Sequence, residues 1–371
     1  MKVAFRVDAS VHIGSGHLMR CLTLAEALRA KGAQCHFISR AHHGHLTELI
    51  RQRDFAVATL PVELPPMPAN ATVISEYVKK LTHASWLGCH WQTDAEKTRA
   101  VLEQLRPDWV VVDHYALDRQ WETAVRPYCN NLMVIDDLAD RAHHCDVLLD
   151  QNLGRRPQDY ANWVPADCKV LTGPRYALLR PEFAALRAYS LQRRQLPVLK
   201  RLLIAMGGVD QPNATGTVLQ ALKDCALPLD CRITVVMGGQ APWLEQIRMQ
   251  AQDMAWPTEV LVNIDDMAQR MADSDLAIGA AGGSSWERCC LGLPTLIVIL
   301  ADNQRPGAQA LQMAGASLLI GEVRDITMQL PIAIHALASQ ERLAEMSAAA
   351  GELVNGLGVH KVLQAAGVMN D

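Results

Sequence analysis

Between Phe5 and Arg20 the chain reads Phe-Arg-Val-Asp-Ala-Ser-Val-His-Ile-Gly-Ser-Gly-His-Leu-Met-Arg, and His17 is the residue there best suited to chemistry. An apolar strand runs into a glycine-bounded turn that delivers His17 to the start of an amphipathic helix. That helix repeats Leu18, Cys21, Leu22, Leu24, Ala25 and Leu28 at helical spacing. Gly14 and Gly16 allow a sharp bend and a close approach of backbone to ligand. Amides at a helix start create a positive local field, which suits an anion or a developing negative charge. A plain strand-to-helix turn carrying an incidental histidine has the same local pattern, so the rest of the chain must decide.

Three further strand exits carry glycines. Gly207-Gly208 precedes Val209-Asp210, Gly238-Gly239 follows Val235-Val236-Met237, and Gly282-Gly283-Ser284-Ser285 precedes Trp286-Glu287. A single glycine pair after a strand is ordinary turn chemistry. The third exit adds hydroxyls to its amides, a combination that holds a diphosphate. Glu287, in the first turn of the following helix, can accept two hydrogen bonds from a ribose diol. Its plainer role is a first-turn carboxylate favoured by the helix dipole. Asn303 and Gln304 leave another buried strand and could address sugar hydroxyl or acyl groups without adding charge; a helix cap would use the same residues.

Composition narrows the class. The 371 residues are half hydrophobic and one-fifth charged, with a net charge of −4, which suits two globular α/β domains and not a nucleic-acid binder. Arg155-Arg156 and Arg193-Arg194 read as solvated loop or linker charges. No apolar run reaches membrane-span length, and residues 1–8 form a strand, so a cytoplasmic protein is expected. The ten scattered cysteines contain no Cys-x-x-Cys pair and read as free thiols. His42, His43 and His45, and His143-His144 beside Cys145, lack helical ligand spacing, so no metal site is expected and solvated loop histidines are the simpler account. There is no P-loop, and Gly14-Ser15-Gly16 lacks the third glycine of a dinucleotide fingerprint; no cofactor is expected. No heptad pattern appears, so a monomer is the default.

Strand-like and helix-like runs alternate, the mark of parallel sheets. Strands are expected at 2–7, 34–39, 55–60, 109–113, 132–136 and 147–149, and again at 201–206, 231–237, 259–262, 276–278 and 295–299. Residues 61–71, with four prolines, read as a surface loop. The polar run 191–197 reads as an interdomain linker. The expected organisation is an N-terminal Rossmann-like domain at 1–190 and a C-terminal Rossmann-like domain at 198–350. A helical segment at 351–371 is expected to pack back on the first.

The stretch 6–25 resembles the opening of the PseG family, the UDP-sugar hydrolases of the pseudaminic acid pathway. The resemblance continues through Val112-Asp113-His114-Tyr115, Ile135-Asp136-Asp137-Leu138, Leu149-Asp150-Gln151-Asn152 and 173–183. In the second half it covers Met206-Gly207-Gly208, Gly283-Ser284-Ser285-Trp286-Glu287, Asp302-Asn303-Gln304 and Gly356-Leu357-Gly358. The sequence departs from the pattern at Gln211-Pro212 and in the 62–92 region, longer than in the shorter members. The resemblance implies a GT-B fold, two Rossmann-like domains facing each other across a cleft, related to the transferase MurG. It also implies metal-independent hydrolysis of UDP-2,4-diacetamido-2,4,6-trideoxy-β-L-altropyranose. By this likeness His17 aligns with the catalytic histidine, while Tyr115 and Asn303 fall at sugar-binding positions.

The expected chemistry is attack of water on the anomeric carbon with His17 as base, giving inversion. Asp8 or Asp113 is expected to orient His17 or bind sugar, with Gly14, Gly16, Arg20, Tyr115, Asn303 and Gln304 around the substrate. Gly207, Gly208, Gly238, Gly282, Gly283, Ser284, Ser285 and Glu287 are expected to hold UDP. Two other readings fit the same residues: an inverting GT-B glycosyltransferase with a UDP-sugar donor, or a non-catalytic UDP-sugar sensor.

Overall fold

The computed structural model describes residues 1–63, 81–337 and 339–368; most of the proline-rich stretch expected to be a loop lies outside them. The chain forms two compact units, one of residues 1–178 with 359–371 and the other of residues 179–358.

The first unit holds a parallel sheet of β1 (Lys2–Val7), β2 (Gln34–Arg40), β3 (Ala56–Leu60), β4 (Trp109–Asp113), β5 (Asn131–Ile135), β6 (Val147–Asp150) and β7 (Lys169–Thr172), in the order β3-β2-β1-β4-β5-β6-β7. Its helices include α1 (Gly16–Ala30), α2 (Thr47–Gln52), α3 (Trp91–Leu105) and α4 (Arg119–Val125). Strands covered on both faces read as near-continuous apolar runs, as β1 and β4 do. Alternate residues serve two cores. Val3, Phe5 and Val7 join Leu18, Leu24 and Leu28 of α1, whereas Ala4 joins Leu102 of α3 and Trp121 of α4.

The second unit repeats the scheme with β8 (Arg201–Ala205), β9 (Arg232–Met237), β10 (Thr258–Val262), β11 (Leu276–Ala280), β12 (Thr295–Ile299) and β13 (Leu318–Glu322), ordered β10-β9-β8-β11-β12-β13. Its helices include α5 (Pro181–Arg193), α6 (Ala214–Leu222), α7 (Leu244–Gln252), α8 (Met267–Asp273), α9 (Ser284–Cys290), α10 (Arg305–Met313), α11 (Ile326–Ala336) and α12 (Gln340–Leu353). The edge strands β7 and β13 are not among the strands expected from sequence.

The boundary lies nearer 178 than 190. Helix α5 packs within the second unit, its Arg187 donating to the carbonyls of Cys290 at 2.6 Å and Gly351 at 2.7 Å. The expected linker charges are therefore structural. Arg193 pairs with Asp275 at 2.5 Å, and buried Arg194 donates to the carbonyls of Met271 and Ser274. Helix α13 (Gly358–Ala365) places Val362 and Leu363 in the first unit's core, while α11 and α12 stay in the second.

In both sheets the strand order reverses beside the first strand, between β1 and β4 and between β8 and β11. Loops leaving adjacent strands in opposite directions open a crevice at the carboxyl edge, where open α/β sheets bind ligands.

Candidate active site

The β1 exit and the β4 exit flank the first crevice, and they carry His17 and Asp113. The turn before His17 is locally determined: Ser10 Oγ accepts from the amides of His12 at 3.2 Å and Ile13 at 2.9 Å, and Gly14 donates to Ser10 O at 2.8 Å. Gly14 has φ +80°, a conformation that a side chain would strain. Gly16 has open space where a Cβ would stand.

His17 is 9% exposed, and its Nδ1 lies 2.6 Å from Asp113 Oδ1. Arg20, one turn along α1, grips the same carboxylate, Nε to Oδ2 at 2.6 Å and Nη2 to Oδ1 at 2.7 Å. Burial alone would push Asp113 up, but Arg20 and then His17 outweigh it and hold the carboxyl well below its ordinary range. A permanently ionised Asp113 fixes the tautomer: Nδ1–H donates, and the Nε2 lone pair is left for a substrate. Among the described residues nothing hydrogen-bonds Nε2. Arg20 Nη1 reaches Asp137 Oδ2 at 2.7 Å, and the Tyr115 hydroxyl donates to that oxygen at 2.6 Å. Burial, then Asp137, push the Tyr115 phenol up, so it remains a donor.

Asp8 takes no part in this constellation. Val7 and Asp113 are register partners, so Asp113 shares the α1 face with Val7, and Asp8, one residue on, faces the other way. There it accepts both Arg6 guanidinium nitrogens, at 2.6 and 2.9 Å, and the amide of Arg40 at 2.7 Å. His114 Nε2 stands 3.2 Å from Asp8, and Asp94 of α3 joins Arg6 to Arg40. Burial opposes ionisation of Asp8, but Arg6 and then His114 and His42 drive its carboxyl well down. Asp8 is thus a buried anchor of the loop, saturated with donors.

The histidines expected in solvent are partly structural as well. His143 is fully buried with Nδ1 2.7 Å from Glu122, and His144 donates its amide to the same carboxylate. His42 lies 3.5 Å from Asp8. Reasoning from sequence missed Trp86 and His83. Trp86 stacks on Tyr115 with centroids 5.6 Å apart and meets His17 edge-on at 6.2 Å. Neither periodicity nor spacing marks them, because they come from a short 3-10 turn, Ala84–Leu87, and the residue just before it.

In the second unit the β8 and β9 exits touch. A Cβ on Gly238 would stand 2.1 Å from Gly208 O, so only glycine fits there. The Gly207-Gly208 loop ends in Asp210, whose carboxylate takes the amides of Ala214 at 2.9 Å and Thr215 at 2.8 Å. The start of α6 is therefore already filled by a carboxylate of the chain.

The β11 exit differs. The amides of Gly282, Gly283 and Ser284 donate to no described residue, whereas those of Ser285 and Trp286 close onto the carbonyls of Gly282 and Gly283. Ser285 accordingly offers its hydroxyl, not its amide. Arg288, 2% exposed, donates to Ser284 Oγ at 3.1 Å, Ser285 Oγ at 3.0 Å and Ala280 O at 2.7 Å. Its hydrogen bonds go to hydroxyl and carbonyl oxygens and to no carboxylate among the described residues, and burial brings it down to about 10. Because Arg288 occupies the lone pairs, both hydroxyl hydrogens are free to point away from it. Half-buried Glu287 has its carboxyl pushed up by burial and bonds no described residue. Gln304 caps its own loop through Leu300 N at 3.0 Å and comes within 3.9 Å of the Cβ position of Gly282, while Asn303 is exposed.

The triplet Asp273-Ser274-Asp275 has the spacing of a metal-binding Asp-x-Asp, but its carboxylates are spent. Asp273 accepts from Tyr189 at 2.6 Å, and Asp275 takes Arg193 and the amides of Lys200 and Arg201. No helix among the described residues is long and apolar enough to cross a membrane.

Comparison with known proteins places these features in context. Residues 203–362 match the glycosyltransferase family 28 C-terminal domain. The chain is 24% identical over 315 residues to the UDP-2,4-diacetamido-2,4,6-trideoxy-beta-L-altropyranose hydrolase of Campylobacter jejuni, covering 85% of this chain and 97% of that protein. It is 25% identical over 312 residues to an uncharacterized protein of Methanocaldococcus jannaschii, covering 82% of this chain but only 57% of that relative. The crystal structure of MurG from Acinetobacter baumannii superposes with a TM-score of 0.69 at 18% identity, covering 99% of each chain. The fold is GT-B, with two parallel-sheet α/β domains, and the likeness to the PseG hydrolases extends over most of the sequence.

Proposed function

We propose that this GT-B protein, a relative of the PseG hydrolases, is a nucleotide-sugar hydrolase. It releases UDP from UDP-2,4-diacetamido-2,4,6-trideoxy-β-L-altropyranose, with inversion and without a metal. The observation that carries this reading is the His17–Asp113–Arg20 constellation, in which the 2.6 Å contact to Asp113 leaves Nε2 of His17 as a base.

A water molecule gives its proton to His17 Nε2 while its oxygen bonds to the anomeric carbon. The glycosidic C–O bond breaks on the opposite face, and its electrons leave with UDP. A terminal phosphate has a pKa of about 6, so the leaving group needs little protonation. The second carboxyl acid of ordinary glycosidases is therefore dispensable. As His17 becomes imidazolium, the Asp113 carboxylate beside it compensates the charge. In the second unit the amides of Gly282, Gly283 and Ser284 and the hydroxyls polarised by Arg288 meet the growing diphosphate charge. Glu287 takes the ribose diol, Gly207, Gly208 and Gly238 give the nucleotide close access to backbone, and Gln304 and Asn303 address the sugar.

The test is incubation of the protein with the UDP-sugar in water, with and without EDTA, following UDP and anomeric configuration by NMR. Stoichiometric free sugar of inverted configuration is expected in both. The family 28 domain and the MurG-like fold favour one rival, an inverting transferase. A transferase would release sugar slowly until an acceptor was added.

A further inference from the structure

One group beside His17 is used by neither the base nor the nucleotide. Trp86 is partly exposed, while its neighbour Leu87 is 2% exposed and anchors the turn. The turn is also held at Gly88, which has φ +69° and packs so closely on His42 that a Cβ would stand 2.7 Å from the imidazole. Trp86 is therefore presented by a fixed element. Its ring lies nearly parallel to Tyr115, 24° between planes, and roughly perpendicular to His17, at 81°. His83 closes the cluster, 4.5 Å from Trp86 and 5.2 Å from Tyr115. Burial pushes the His83 imidazole down, so the cluster adds no fixed cation.

At the Tyr115 hydroxyl, Asp137 has one oxygen spent and one without a partner among the described residues. Oδ2 takes both Tyr115 and Arg20, and no described residue bonds Oδ1. An apolar aromatic wall with one hydrogen-bond acceptor beside it is the lining that orients a small amphipathic ligand. A pyranose with an acylamino group and a deoxy carbon offers the complement: C–H and methyl surface for the indole, and an amide N–H for the carboxylate.

We propose that Trp86 is a specificity-determining residue. Its indole, stacked on Tyr115 beside the His17 imidazole, receives the apolar face of an N-acylated deoxy-sugar, while Asp137 Oδ1 accepts from the sugar's amide. This rests on the hydrolase reading for its choice of substrate, but its test does not depend on turnover.

Trp86→Ala and Trp86→Phe are compared with the unaltered protein for kcat, KM, the inhibition constant of UDP and the pH profile of kcat/KM. The alanine variant is expected to raise KM for the diacetamido substrate at least tenfold, with kcat within threefold and with UDP inhibition and the pH midpoint unmoved. The phenylalanine variant, which keeps an aromatic face and serves if the alanine variant fails to fold, is expected to raise KM two- to fivefold. Binding is read in parallel by calorimetry in a His17→Asn background, where the advantage of UDP-sugar over UDP should vanish with Trp86→Ala. An unchanged KM and an unchanged sugar advantage would overturn the proposal. So would a fall in kcat with a displaced pH midpoint, which would make Trp86 a support for His17 only. If the unaltered protein hydrolyses nothing, the hydrolase reading fails, and the calorimetric comparison still decides the role of Trp86.

Discussion

Replacing Asp113 by asparagine tests the base assignment at its root. The carboxylate accepts from four donors: His17 Nδ1 and Arg20 Nη2 on one oxygen, Arg20 Nε and, at 3.6 Å, Cys21 Sγ on the other. An amide has only one acceptor oxygen, so whichever way the substituted side chain turns, its NH2 confronts a guanidinium donor. If the NH2 faces His17, the imidazole must accept at Nδ1, and its proton moves to Nε2, where the attacking water needs a lone pair. If it faces away, the tautomer survives but the countercharge is lost. At an effective dielectric of about 20, a carboxylate and an imidazolium whose centres lie about 4 Å apart attract by about 4 kcal/mol. Arg20 already shares that carboxylate, which reduces the share available to His17. The expected fall in kcat is therefore about 10²- to 10³-fold, at about 1.4 kcal/mol per tenfold. Initial rates of UDP release measure it, and UDP binding by calorimetry, which reads the nucleotide site proposed in the second unit, should not move. A kcat within fivefold of the unaltered protein would refute the reasoning.

His17→Asn should lose most turnover and keep UDP affinity, measured by the same two assays. Arg288→Met removes the cation behind Ser284 and Ser285 and should weaken UDP binding about tenfold, with Glu287→Ala also acting on UDP affinity before kcat; unchanged calorimetric affinities would contradict both roles. Gly238→Ala drives a Cβ to 2.1 Å from a backbone oxygen, and should lower stability by about 1–3 kcal/mol in urea titrations, as overpacking does. Burial pushes His114 below its ordinary 6.5, and its Nδ1 already accepts from Ala116 N at 3.1 Å. The unfolded chain binds that proton first on acidification, so stability conferred by neutral His114 is full above pH 6.5 and declines below it. His36 and His83 are pushed down by burial too, so the test is the difference in slope. In His114→Gln the fall in urea midpoint between about pH 7.5 and 5.5 should be shallower.

Much of this was legible in the residues. Apolar runs with a change of period located the strands at the core of both sheets, and the glycine turn before His17 marked a strand exit that borders the crevice. The choice between Asp8 and Asp113 was open in the sequence because each follows an apolar strand. Only the pairing of Val7 with Asp113 shows that the two acids point to opposite faces. Arg6 and Asp94 are 88 residues apart, and nothing local announces their 2.7 Å contact. Likewise Arg193 and Arg194 look like linker charges until the carbonyls at the end of α8 and the Asp275 carboxylate are brought to them by the fold. Trp86 was invisible for a different reason: a lone aromatic in a one-turn segment has no repeat to betray which surface it lines.

Helix α13 carries a consequence for synthesis. Val362 and Leu363 fill the first unit's core against β1 and α1, and Lys169 reaches the carbonyl of Ala365 at 3.1 Å. A ribosome delivers the leading half of the polypeptide long before these residues emerge, and the whole of the second unit is translated in between. The half bearing His17 must wait, its apolar underside uncovered, until the final stretch arrives. A version ending at residue 358 should therefore be recovered mostly as insoluble material, although every residue of the proposed chemistry is present in it.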